Sequence, residues 1–313
     1  MKSKLAICLL AVLTGSVLAD NWPNGPIKIV VPYTPGGITD DLARSVGEPL
    51  SAKLNVPVVY DYKPGGSGIV GANYVAKSKP DGNTLVIVSN SFATSTLTSR
   101  VPYNAADDFE PVSLLTMTPA VVVVQKDLPV ENFDDLIKFA KEHPRKVNYA
   151  TSGIGSLTHL TMEKAQQQGD FKVTHIPYKG QSEVWADFLG GHLDALIDTP
   201  AGITKYLNYK SVKVLAITSA SRLRNWLDIP AIAESKLKDF SAYGGFLVLA
   251  PKGTPEHIIN KLSENLSVIV NSTAFKSKFE PNGMVSVGGA STVAKEFLEK
   301  EFKAWQEVVS HIR

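Results

Sequence analysis

Short β-branched runs alternate with helix-length amphipathic stretches along this chain, and they do so in two successive regions. Residues 27–31 read as a strand. Residues 40–54 read as a helix, with Leu42, Val46 and Leu50 on one face and Pro49 inside it, where a kink is possible. A strand at 58–60, a helix at 69–77 and a strand at 85–88 complete a βαβαβ order. That order implies a parallel sheet with helices on its faces. The second region repeats the plan, with strands at 147–150, 173–176, 195–197 and 212–217 and helices at 157–167 and 183–189. The end of the chain is helical, over 256–270 and 293–309. A chain of 313 residues is long enough for two such domains.

The N-terminus has the layout of a removable leader. Lys2 and Lys4 precede an unbroken apolar run at 5–13, and Val17-Leu18-Ala19 leads to a cut before Asp20. The run is too short to span a bilayer, which takes about 20 residues. Cys8, the only cysteine, lies inside this run, where a lipoprotein anchor would place it after one. The exported chain is then free of thiols, which avoids wrong pairing in an oxidising compartment. Without Lys2 and Lys4 the basic and acidic residues are equal, at 30 each. A balanced surface argues against a nucleic-acid partner.

Two strand-to-helix loops carry the chemistry. In the first, Tyr33, Thr34, Pro35, Gly36, Gly37, Ile38, Thr39 and Asp40 combine two prolines with two glycines. Gly brings the backbone close to a ligand, and the helix start offers unpaired N–H groups to an anion. Asp40 can cap the local amides. In the second, Thr151, Ser152, Gly153, Ile154, Gly155 and Ser156 lead into a helix that Ser156 can cap. His159 falls in its first turn, where packing under the loop is the plainer role. Either loop could also be a tight turn without a ligand.

Other motifs are weaker. Residues 66–71 match G-x-G-x-x-G between a strand and a helix. The acidic residue expected about 20 positions on, at the end of the next strand, is missing, so a dinucleotide is not expected. The six histidines show no metal spacing, no esterase elbow occurs, and no catalytic set can be assembled. No cofactor is expected. Residues 120–129 and 246–255 share one plan, an apolar run, a polar turn and a proline before a helix. Two chain crossings between domains and two unrelated edge strands both fit that plan.

Taken in order, these segments resemble the Bug family, the periplasmic solute receptors of tripartite tricarboxylate transporters. The resemblance runs from Trp22-Pro23 through Pro35-Gly36-Gly37, Asp40 and Ala43-Arg44 to Lys63-Pro64-Gly65-Gly66 and Pro80-Asp81-Gly82. It continues at Ser152-Gly153-Ile154-Gly155-Ser156, His159 and Glu163, then Pro177-Tyr178-Lys179-Gly180, Asp187 and Asp194, and Ala250-Pro251-Lys252-Gly253-Thr254-Pro255. It implies an α/β, type II-like periplasmic-binding-protein clamshell with the ligand in the cleft between domains. Residues 20–121 and 247–313 would form one domain and 122–246 the other, with two crossing strands as the hinge. It implies a small carboxylate as ligand: a di- or tricarboxylate, an amino acid or an aromatic acid. The two loops would grip it through backbone amides, and Ser89, Asn90, Tyr178 and Asp198 would line the cleft. Asp198 reads equally well as a sensor of a ligand donor group and as a cap of the Pro200-Ala201-Gly202 turn. The implied partners are the transporter's membrane subunits, with a sensor kinase as the alternative, and a monomer is expected. Glu183, Tyr62, Ala231 and Lys236 depart from the family pattern.

Overall fold

The computed structural model describes residues 22–89, 91–98, 100–178 and 180–312. The expected leader, Asp20 and Asn90 lie outside the described residues.

The chain begins with β1 (Ile27–Val31), α1 (Ile38–Leu54), β2 (Val58–Tyr62), α2 (Ile69–Ala76), β3 (Thr84–Ser89), α3 (Ser91–Thr98) and β4 (Phe109–Pro119). It continues through β5 (Val121–Gln125), α4 (Phe133–Glu142), β6 (Asn148–Thr151), α5 (Leu157–Gly169), β7 (Thr174–Pro177), α6 (Gln181–Leu189), β8 (Ala195–Asp198), α7 (Pro200–Ile203) and β9 (Val212–Ile217). It closes with β10 (Tyr243–Pro251), α8 (Glu256–Val270), α9 (Thr273–Phe279), β11 (Val285–Ser286) and α10 (Ser291–Ile312).

Two mixed sheets result, ordered β11-β4-β10-β3-β1-β2 and β7-β6-β8-β5-β9. Each holds three parallel strands, followed by an antiparallel strand that arrives from the other half of the chain. Side chains alternate across the sheets. In β1, Ile27, Ile29 and Val31 pack with Leu42, Val46 and Leu50 of α1, while Val30 faces Ala72 and Val75 of α2. In β5, Val122 and Val124 enter one core and Val121 and Val123 the other. Burial on both faces explains why β5 is an unbroken valine run. Helix α1 continues through Pro49, which sits on its exposed side, where the carbonyl left unbonded can meet water.

The chain passes from the first sheet to the second at Ala120 and returns at Tyr243, ahead of the boundary expected at 247. The two passages lie side by side, with Tyr243 opposite Pro119. Thr218, fully buried, ties them together. Its N–H donates to the Ala120 carbonyl at 2.9 Å, and its carbonyl accepts from Ala242 N–H at 2.8 Å. Its hydroxyl accepts from Ala120 N–H and donates to the Ala242 carbonyl, both at 2.7 Å. A third link is α10: Ala294 and Leu298 belong to a core of the first sheet, and Trp305, Val308 and Val309 to a core of the second.

Thr218→Val keeps the shape and strips the hydroxyl, leaving two buried backbone groups short of a partner. Thermal or urea unfolding should show a loss of about 2–4 kcal/mol, with Thr218→Ser losing less than half of that. A second test concerns Glu301 of α10, which accepts from Trp305 Nε1 at 2.6 Å. Burial raises its pKa to about 7, against the pull of Trp305 N–H, Lys164 and Lys300. The unfolded carboxyl ionises near 4.3, so the folded state holds an extra proton between these values and loses stability as pH rises through them. Glu301→Gln should therefore gain Tm relative to the natural chain as pH rises from about 5 to about 8. Parallel Tm curves would contradict the assignment.

Candidate functional site

Both glycine loops follow the C-terminal end of a parallel strand, β1 in one sheet and β6 in the other. Ligands of open α/β sheets bind outside these strand ends. The two loops share a further device. Gly36 and Gly155 both have positive φ, 84° and 76°. Each donates its N–H to the side chain four residues on, in the first turn of the following helix. Gly36 bonds Asp40 Oδ2 at 2.8 Å, and Gly155 bonds His159 Nδ1 at 3.1 Å.

These acceptors are themselves fixed. Asp40 Oδ1 accepts from Arg44 Nε at 2.9 Å and from the Tyr62 hydroxyl at 2.8 Å. Burial works to raise its pKa, but Gly36 N–H, Tyr62 and Arg44 together hold it below the ordinary carboxylate value. Tyr62, a departure from the family pattern, thus braces the first loop. His159 is buried, stacked on His175 with ring centroids 4.1 Å apart. Burial lowers its pKa against the opposing pull of Glu163, which keeps Nδ1 free to accept. Burial and His159 bring the pKa of His175 down to about 4, and its Nε2 meets Thr151 Oγ1 at 2.7 Å.

The Gly36 and Gly155 amides expected to grip a ligand are therefore spent on holding the loops. The free ones come next. The amides of Ile38, Thr39 and Asp40, opening α1, find no acceptor among the described residues. The same holds for Leu157 and Thr158, opening α5, where Ser156 caps by accepting from His159 N–H at 3.2 Å. Five first-turn amides and two positive helix ends remain for an anion.

Both helix starts border one cavity of about 370 Å³ between the sheets. The first sheet's side contributes Ile38, Thr118, Gly244, Phe246, Asn282 and Met284. The second contributes Ser152, Leu157, Thr158, Gln181, Asp198, Thr199 and Ala201. Across the cleft Asn225 Nδ2 donates to the Glu280 carbonyl at 3.3 Å.

Of the expected site residues, Ile38, Ser152 and Asp198 border the cavity directly. Pro35, Gly36 and Gly37 are exposed, whereas Thr39, Asp40, Thr151 and His159 are buried behind the loops. Tyr33 and Ser89 bond one another at 2.9 Å. Tyr178 turns away, donating to Asp187 Oδ2 at 2.6 Å, a bond that raises its pKa to about 12. Asp198 Oδ2 accepts from Trp185 Nε1 and Oδ1 from Thr199 N–H, both at 2.7 Å. The cap of α7 is Thr199, not Asp198, because Gly202 N–H bonds Thr199 Oγ1. Glu183 is exposed in the first turn of α6, and Gln181 is the α6 residue at the cavity. The glycines of the G-x-G-x-x-G segment serve packing: a Cβ on Gly71 would come within 2.6 Å of Pro32, just after β1. Among the described residues no cluster of metal-ligating side chains occurs.

The profile of the tripartite tricarboxylate transporter family receptor, TctC, matches residues 42–313. The chain belongs to this family. It is similar to protein BugT of Bordetella pertussis, with 32% identity over 95% of this chain and 92% of BugT. R. palustris Rpa4515, solved with adipate, is 31% identical, with a TM-score of 0.76 over 92% of this chain and 97% of its own. MatC (Rpa3494) from Rhodopseudomonas palustris, solved with bound malate, is 25% identical, with a TM-score of 0.72 over 92% of this chain and 100% of its own. These matches establish the two-domain clamshell and make the chain a solute-binding receptor rather than an enzyme. No described helix of the receptor is long and apolar enough to cross a membrane.

The His159–Gly155 bond has a direct test. His159→Phe leaves the Gly155 N–H without an acceptor and should lower stability by about 1–2 kcal/mol. Limited proteolysis at the exposed Ile154 should speed up as well. His159→Gln supplies an oxygen acceptor and should recover part of both losses.

Proposed function

We propose that this receptor captures a small organic carboxylate in the periplasm and delivers it to the membrane subunits of a tripartite tricarboxylate transporter. One observation carries the reading: Ile38 of α1 and Leu157 and Thr158 of α5, whose amides are unpaired at two helix starts, line the same cavity from opposite lobes. The relatives solved with adipate and malate support a carboxylate as ligand. Residues 1–19 would be the export leader. Residues 20–121 with 247–313 would form one lobe and 122–246 the other.

Hydrogen bonds to a charged group contribute roughly 1.5–3 kcal/mol each. Four or five such bonds give roughly 6–15 kcal/mol before ordering costs, and micromolar binding needs about 8. Capture is therefore feasible without a lysine or arginine at the grip. The contacts come from both lobes, so the ligand favours the closed state over the open one, which any ligand-driven closure requires. Closure also removes water, which strengthens each bond to the anion.

A panel of carboxylates, each paired with its neutral amide, tests this by thermal shift. A ligand at 100 times its Kd adds about 2.7 kcal/mol to stability. The acids should raise Tm and the amides should not. Equal shifts within each pair would refute capture through the carboxylate.

A further inference from the structure

The cavity is not equally suited to every carboxylate. Its two helix starts can hold one anionic group. Ile38, Leu157, Ala201, Phe246 and Met284 supply apolar wall, with the neutral amides of Gln181 and Asn282 among the polar lining. No Lys, Arg or His stands among the described residues of the lining. The one ionisable group there is Asp198. Trp185 Nε1 and Thr199 N–H both donate to its carboxylate, and the Gln181 side chain adds a further bond that favours the anion. Burial is the largest influence and raises its pKa above the ordinary carboxylate value, while these bonds oppose that rise; Trp185 Nε1–H and Thr199 N–H both donate, and an ionised carboxylate only accepts. The arginines near the cleft, Arg222 and Arg224, line a neighbouring groove that shares only Met284 with this cavity. Arg222 is already paired with Glu234 at 2.7 Å.

A second carboxylate on the ligand would therefore lose water without gaining a cation, and it would share a closed space with Asp198. A neutral polar substituent is easier to accept. Thr118 offers a buried hydroxyl at the cavity with no partner among the described residues, and a ligand hydroxyl or keto group can pair with it.

Building on the reading of the cleft as a carboxylate site, we infer that the receptor selects monocarboxylates with an apolar body and discriminates against a second carboxylate at the far end. The selecting group is Asp198, an acidic side chain on the same cavity as a grip that has room for one anion.

Isothermal titration of the full mature chain with hexanoate, adipate and monomethyl adipate tests this. The three share a six-carbon acid and differ at the far end. Hexanoate and monomethyl adipate should each bind at least tenfold tighter than adipate. In Asp198→Asn the gap between hexanoate and adipate should shrink at least threefold. Adipate binding as tightly as hexanoate, or monomethyl adipate as weakly as adipate, would overturn the inference and leave carboxylate capture intact. If none of these acids and no member of the wider carboxylate panel binds, the reading of the cleft itself fails. Should Asp198→Asn not fold, the three ligands on the natural chain still decide.

Discussion

Two sheets can close on one cavity only if the strands joining them keep their register, and here one side chain holds that register. Thr218 engages both crossing segments through its N–H, its carbonyl and its hydroxyl, fully out of water. Unmade hydrogen bonds at such a place cost far more than made ones contribute. The clasp therefore limits how the crossings can slide, while leaving rotation about their backbone dihedrals open. Helix α10 adds a strap on another side, with one end in each lobe's core. Its partly buried Glu301, beside Lys164 and Lys300, makes that strap sensitive to proton concentration.

At the cleft the structure separates two jobs that a glycine-rich loop seems to do at once. The glycines adopt the turn, and their amides are occupied by Asp40 and His159. In the proposed function, binding falls to the amides one step further along, at the helix starts. A loop whose own amides are satisfied is stiffer, so the free amides are already aimed before any ligand arrives. Pre-organisation of that kind reduces the ordering cost of binding. The lobes reach it by different chemistry, an ionised carboxylate in one and a neutral imidazole in the other. Both sit at the same spacing of four residues, which places the acceptor over the turn that precedes its helix.

Strands and helices with clear periodicity were legible in the sequence, among them β9 and α8, whose ends coincide with the expected ones. The long β4 was not. Pro111, Ser113, Thr116 and Thr118 interrupt its apolar pattern, because it runs between sheet neighbours and ends beside the cleft. The grip was legible as two loops but not as individual atoms. Nothing local tells that Gly155 N–H will meet His159 Nδ1, or that Asp187 will capture the Tyr178 hydroxyl from the next helix. Least legible were Asn282, Met284, Gly244 and Thr118. They reach the cavity through the crossing strands and the β11 turn, and that proximity exists only once both sheets have formed.

A binding site made of amides and apolar walls also suits a receptor that must let go. A lysine or arginine in the cleft would attract an anion in the open and closed states alike, and uniform attraction does nothing to favour closure. Amide dipoles act at short range and are strong only where water is absent. When the lobes part, water reaches the same N–H groups and competes for them directly. On the proposed reading the grip is tied to the hinge: tight while the lobes are closed around the ligand, weak as soon as they turn apart. A balanced overall charge, equal at 30 basic and 30 acidic residues once Lys2 and Lys4 are set aside, fits that logic, since no long-range field is left to hold the released anion nearby.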